Sequence, residues 1–146
     1  MDDYTRDWVY PPNSFDLIHA RALYASVADW PKFYGEVMNA LKPGGWFEHI
    51  ETTIKLESDD DSKRNPSKVD EWTDLLDVAS SSSGKPFKIS AHLKTWLDEG
   101  GFVNVKEHIF KIPIGSWPKD EKLKAIGQFN LLNMLEGAGM HINSMA

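Results

Sequence analysis

The sequence predicts an α/β fold: about three mainly parallel strands flanked by helices. Two observations carry this. Short apolar runs at 15–20, 46–56 and 102–109 alternate with longer segments whose apolar residues recur at steps of three and four. Gly and Pro clusters punctuate the joins between them. With 146 residues, 41% of them hydrophobic and 12% aromatic, the chain can bury a core as a single domain over 1–146.

The elements follow in order. Pro11-Pro12-Asn13-Ser14 reads as a turn, and Phe15 to Ala20 (FDLIHA) as a strand covered on both faces, as in a parallel sheet. Val27, Trp30, Tyr34, Val37, Met38 and Leu41 then lie on one helical stripe. Asp29 and Pro31 form a cap and first-turn pair that starts this helix near Trp30. Lys42-Pro43-Gly44-Gly45 ends it, and Trp46 to Leu56 is the second strand.

Residues 57–68 are a polar loop. Val69, Trp72, Leu75, Leu76 and Ala79 mark the inward stripe of a second helix, which the run from Ser80 to Gly84 closes. A third helix spans Ser90 to Glu99 with Ser90 as its N-cap, and Gly100-Gly101 stops it. Phe102 to Ile109 alternates as a third strand, and 111–118 is irregular or a weak edge strand. Asp120 to Glu136 is a last helix with Leu123, Ile126, Leu131, Met134 and Leu135 inward, followed by a frayed tail.

Charge and composition narrow the functions. Sixteen Lys and Arg face twenty-two Asp and Glu, a net charge of −6, so no nucleic-acid partner is expected. The absence of Cys excludes disulfides, thiolate zinc sites and Cys nucleophiles, and fits a reducing compartment. No apolar run reaches the length of a membrane span, and the acidic first twenty residues do not read as a secretory signal; a cytoplasmic protein without a membrane partner is expected.

Three blocks in order carry a resemblance: Tyr10 to Arg21 (YPPNSFDLIHAR) ahead of Asp29-Trp30-Pro31, Leu41 to Glu51 (LKPGGWFEHIE), and 100–118 (GGFVNVKEHIFKIPIGSWP). Together they resemble class I S-adenosylmethionine-dependent methyltransferases, in particular the fungal group that includes regulators and tailoring enzymes of secondary metabolism. The resemblance covers nearly the whole chain and implies a truncated Rossmann-like methyltransferase sheet, its C-terminal half. In that family a Gly-rich turn after the first strand cradles the methionine moiety, and an acidic residue ending the second strand holds the ribose. Neither has a counterpart here: the Gly pairs at 44–45 and 100–101 follow helices and precede strands. By position, Asp2 or Asp3 matches the family's acidic contact to the adenine amino group, and Trp8 lies near the adenine face. The resemblance therefore implies an incomplete S-adenosylmethionine site.

Candidate chemistry sits on the first two strands. His19 and Arg21 end a parallel strand, where ligands bind in open α/β sheets. His19 can serve as a general base and Arg21 as a substrate contact; alternatively His19 is hydrogen-bonded within the sheet and Arg21 pairs with a helix carboxylate. His49 and Glu51, two apart on a strand, share a face and can form an oriented base, or an ordinary ion pair. Tyr10 and Tyr24 flank the first strand and could line the same cavity, with Trp117 as a pocket wall. No metal spacing such as HxxxH occurs, so no metal site is expected.

Three functions stay open. The first is a methyltransferase-like protein of secondary metabolism acting on a small organic molecule. The second is a cofactor-independent isomerase, epimerase or cyclase working as a homo-oligomer. The third is a non-catalytic interaction module. A half-sheet would leave its first strand without a neighbour, so a homo-oligomer or a complementary chain is expected to cover that edge.

Overall fold

The structure is a computed structural model that describes residues 6–53, 55–58 and 67–143, with side chains described as far as Gly137. Two compact units form, Met1–Lys106 and Glu107–Ala146.

In the first unit, strand β1 (Phe15–Arg21) leads through a short loop to helix α1 (Trp30–Ala40), which runs directly into strand β2 (Leu41–Ile50). β1 and β2 pair in parallel. Asp29 caps α1 as the sequence predicts, its carboxylate accepting from the Lys32 N–H at 2.9 Å. Trp30, Tyr34 and Val37 of the expected stripe are buried, with Phe33 beside them, whereas Met38 is 37% exposed.

Lys42-Pro43-Gly44-Gly45 does more than end the helix. β2 begins before it, at Leu41, rather than at Trp46, and ends at Ile50 rather than Leu56. Phe15 partners Leu41, but Leu17 partners Trp46, so the two residues gained along β1 answer five along β2. The excess loops out at Gly44, whose φ of 81° a side chain would resist, and Gly45, where a Cβ would lie 2.9 Å from the Lys42 carbonyl oxygen.

The sheet has two strands among the described residues, where three were expected. The segment after Gly101 forms no strand, and Gly101 and Asn104 take φ of 86° and 57°. Phe102 turns inward, its ring 5.5 Å from Phe47 and 6.3 Å from Tyr34, and Val105 is half-buried, while Val103 stands 83% exposed. Alternation selects a strand only where a partner strand takes up its hydrogen bonds.

One face of the sheet is covered and the other is open. Ile18, Ala20, Phe47 and His49 turn toward α1 and helix α3 (Leu93–Glu99); Leu17, His19, Trp46, Glu48 and Ile50 face outward and are exposed. The expectation of a strand covered on both faces therefore fails for β1 within the described residues. The core joins Ala20, Val27, Trp30, Phe33, Tyr34, Val37, Leu41 and Ile89.

Helix α2 (Lys68–Ser82) forms where predicted, closed at its start by a Ser67–Asp70 capping box. Its covered face follows the expected stripe only in part: Val69 and Leu76 are half-buried, but Thr73 is its one buried residue, with Asp77 and Ser80 half-buried as well, whereas Leu75 is 69% exposed. α3 is preceded by a single 3-10 turn at Ser90–His92, and Ser90 makes no side-chain cap. In the second unit, helix α4 (Glu121–Asn143) continues past the predicted end. Leu123, Ile126, Leu131 and Leu135, expected inward, are exposed. Gly127 is its buried position, beside the 113–115 loop. No helix among the described residues is long and apolar enough to cross a membrane.

Candidate functional site

The parallel register sets two His–carboxylate pairs on opposite faces of one sheet. On the open face His19 stands opposite Glu48, and Nδ1 and Oε2 are 2.7 Å apart. Both side chains are exposed, at 45% and 60%. On the covered face His49 Nε2 lies 2.9 Å from Glu51 Oε1, and both side chains are 1% exposed. The Tyr34 hydroxyl meets His49 Nδ1 at 3.1 Å, and the Leu23 backbone N–H donates to the same Glu51 oxygen at 2.7 Å. Burial, reinforced by the Glu51 charge, pushes the Tyr34 phenol well above its ordinary range, so it stays protonated. Glu51 Oε2 and Trp30 Nε1 are buried without a hydrogen-bond partner among the described residues.

An open cleft of about 370 Å³ runs along the unpaired side of β1. Trp8, Ile18, Leu23 and Phe33 give it apolar walls, and His19 and Arg21 contribute its ionisable residues. Trp8 is held edge-on to Phe33 and Tyr10 at 6.0 and 6.1 Å. Its neighbour Asp7 is tied to Lys32 of α1 at 2.6 Å, which holds the Asp7 carboxyl below its usual range.

The predicted residues therefore separate. Trp8, His19 and Arg21 share the cleft. His49 and Glu51 do pair, but out of reach of solvent. Tyr10 packs edge-on to Phe15, and Tyr24 edge-on to Phe87; neither lines the cleft. Trp117 belongs to the second unit and is 72% exposed. Asp2 and Asp3 lie outside the described residues. Two participants were missed. Glu48 is the cross-strand partner of His19, which only the looped-out register reveals, and Tyr34, which periodicity marks only as a core position on its helix, carries the hydroxyl that meets His49. Among the described residues no group of three or more His, Asp or Glu could hold a metal ion.

This geometry belongs to a chain whose residues 2–107 match a family model described as a methyltransferase domain. The chain belongs to that methyltransferase family, and its small parallel sheet with helices is a partial, Rossmann-like α/β fold. It is 36% identical over 137 residues to the methyltransferase pytC of Aspergillus terreus, covering 94% of this chain and 42% of that protein. It is 33% identical over 136 residues to the secondary metabolism regulator LAE1 of Cochliobolus heterostrophus, covering 92% of this chain and 44% of that protein. It is 29% identical over 136 residues to the protein-methionine methyltransferase laeA of Emericella nidulans, covering 92% and 36%. The chain thus spans less than half the length of these relatives. No solved structure matches.

Family membership implies S-adenosylmethionine as methyl donor. The described residues fit that molecule only in part. Trp8 offers a flat apolar wall of the kind an adenine ring takes, but among the described residues neither strand leads into a glycine-rich turn that would allow a close backbone approach.

Proposed function

We propose that this chain carries the acceptor side of an S-adenosylmethionine-dependent methyltransferase of secondary metabolism, acting on a small organic molecule with an ionisable hydroxyl. The observation that carries this reading is the exposed His19–Glu48 pair beside an apolar cleft, in a chain of methyltransferase family. Glu48 accepts from Nδ1–H, which leaves the lone pair on Nε2 to take the proton of a substrate hydroxyl. The Arg21 side chain, two residues along the same face, makes no ion pair or hydrogen bond among the described residues and suits an anionic substituent. Trp8 and Phe33 suit a flat apolar body. Because the donor fits only in part, the chemistry assigned to this chain is binding, orientation and proton acceptance. The methionine and ribose contacts are assigned to polypeptide beyond the described residues.

The test is a pair of NMR titrations of the full chain, one with S-adenosylmethionine and one with para-hydroxybenzoate as acceptor probe. The phenol is expected to perturb the His19 ring and the Arg21 side chain, and H19A should abolish the perturbation. No perturbation at either residue would overturn the acceptor assignment.

A second reading, a module covered by another copy of the chain or by a complementary chain, is favoured by the open sheet face. Leu17, Trp46 and Ile50 are 59%, 73% and 45% exposed there. A partner on that face would bury His19 and Glu48, so the two readings exclude each other. Sedimentation decides: a concentration-dependent oligomer that H19A leaves intact but Trp46→Glu disperses favours the module, and a monomer at all concentrations removes self-association.

A further inference from the structure

We propose that Tyr34, His49 and Glu51 form a buried positioning relay that clamps the Ala22–Ala25 segment and thereby holds the Leu23 wall of the cleft. This inference stands apart from methyl transfer and holds whichever ligand the cleft takes.

For a neutral His49 beside the Glu51 carboxylate, one proton arrangement satisfies both contacts. Tyr34, which keeps its proton in its buried setting, then donates to His49 Nδ1 at 3.1 Å. His49 must then carry its own proton on Nε2, which donates to Glu51 Oε1 at 2.9 Å. Oε1 also accepts the Leu23 N–H at 2.7 Å. One carboxylate oxygen thus joins β2 to the loop that follows β1, and through His49 to α1, in a setting where the His49 and Glu51 side chains are both 1% exposed.

The clamped segment needs holding. Ala22 and Ala25 sit at φ of 53° and 54°, a region that their β-carbons disfavour. Such backbone persists only where its surroundings over-determine it. Here the Ala22 N–H donates to the Ile50 carbonyl and the Ala25 N–H to the Pro86 carbonyl, both at 3.0 Å. Leu23, between them, is one of the residues that line the cleft, and its N–H goes to Glu51. Two neutral or acidic groups that the sequence offers as a base are thus spent on shape: at the end of β1 they fix where a ligand meets the chain.

The experiment uses nitrogen-15 NMR and amide exchange on the full chain. The His49 ring is expected to be the neutral Nε2–H tautomer. In Glu51→Gln, exchange at Leu23 and its neighbours should quicken about tenfold relative to the amides of α1, because a charge-assisted bond becomes a neutral one. An Nδ1–H tautomer or an imidazolium at neutral pH overturns the relay. So does exchange that rises equally through α1, which would mean a general loss of stability, or no change at Leu23. Should Glu51→Gln fail to fold, the tautomer and the protection of Leu23 in the unaltered chain still decide.

Discussion

His19 and Glu48 meet across the parallel pair on its open face, 2.7 Å apart, while their chain neighbours Ala20 and His49 turn into the core. A single register thus produces one His–carboxylate pair in water and another in a dry interior, an internal comparison of what burial does to the same chemistry. Glu48→Gln is expected to change stability by less than about 1 kcal/mol, since an exposed pair gains little over its hydrated parts. Glu51→Ala should cost about 2–5 kcal/mol, because it leaves the His49 and Leu23 donors buried and unpaired. Urea unfolding of both variants checks this, and similar losses would mean that the two pairs share one environment.

The same interior makes stability depend on alkali. The Tyr34 phenol is pushed up in the folded chain by burial and by Glu51, whereas an unfolded tyrosine ionises near about 10. The unfolded state therefore gives up this proton first. The contribution is fully present below the unfolded value and declines as pH climbs above it toward the folded one. Thermal unfolding between neutral pH and about pH 11 should show a steeper fall for the unaltered chain than for Tyr34→Phe. Parallel curves would remove Tyr34 as the cause.

Much of this was legible in the sequence, and the limits have physical reasons. β1, α1 with its Asp29 cap and the family itself follow from local signals, because propensity, capping and turn chemistry act over a few residues. His49 and Glu51 could be paired because i and i+2 on a strand share a face, but burial, which decides their role, depends on α1 and α3 packing over them. His19–Glu48 could not be read, since the five-for-two slip at Lys42–Gly45 sets which residues oppose. The third strand failed for want of a partner, and in α2 the apolar stripe through Leu75 yields to a face centred on Thr73.

The slip itself can be tested with two glycines of opposite surroundings. Gly35 lies exposed in α1 with nothing within 4 Å of a built Cβ, so Gly35→Ala should stabilise by about 0.5–1 kcal/mol through helix propensity and a less flexible unfolded chain. At Gly45 a Cβ would meet the Lys42 and Asp16 carbonyl oxygens at 2.9 and 3.2 Å. Both neighbours are backbone, and moving them shifts the register that opposes His19 to Glu48. Gly45→Ala is expected to destabilise, by about 1–3 kcal/mol as overpacking does, and to separate the His19–Glu48 pair in NMR spectra. A neutral Gly45→Ala would show that the loop yields freely.

The second unit turns on another glycine. Gly127 sits inside α4, where glycine ordinarily weakens a helix, yet a Cβ there would collide with the Gly115 carbonyl oxygen and lie 3.4 Å from Pro113. The Gly115 N–H donates to the Gly127 carbonyl at 2.9 Å, and the Asn130 side-chain amide donates to the Pro113 carbonyl at 3.1 Å. The helix therefore gives up propensity at one position so that a backbone strap can lie against it. Gly127→Ala sets the two effects in opposition: the isolated helix gains about 1 kcal/mol while the strap loses its seat. Amide exchange should show slower exchange within α4 together with faster exchange at Gly115. Protection of Gly115 that survives the substitution would mean the strap is held by the Asn130 contact instead.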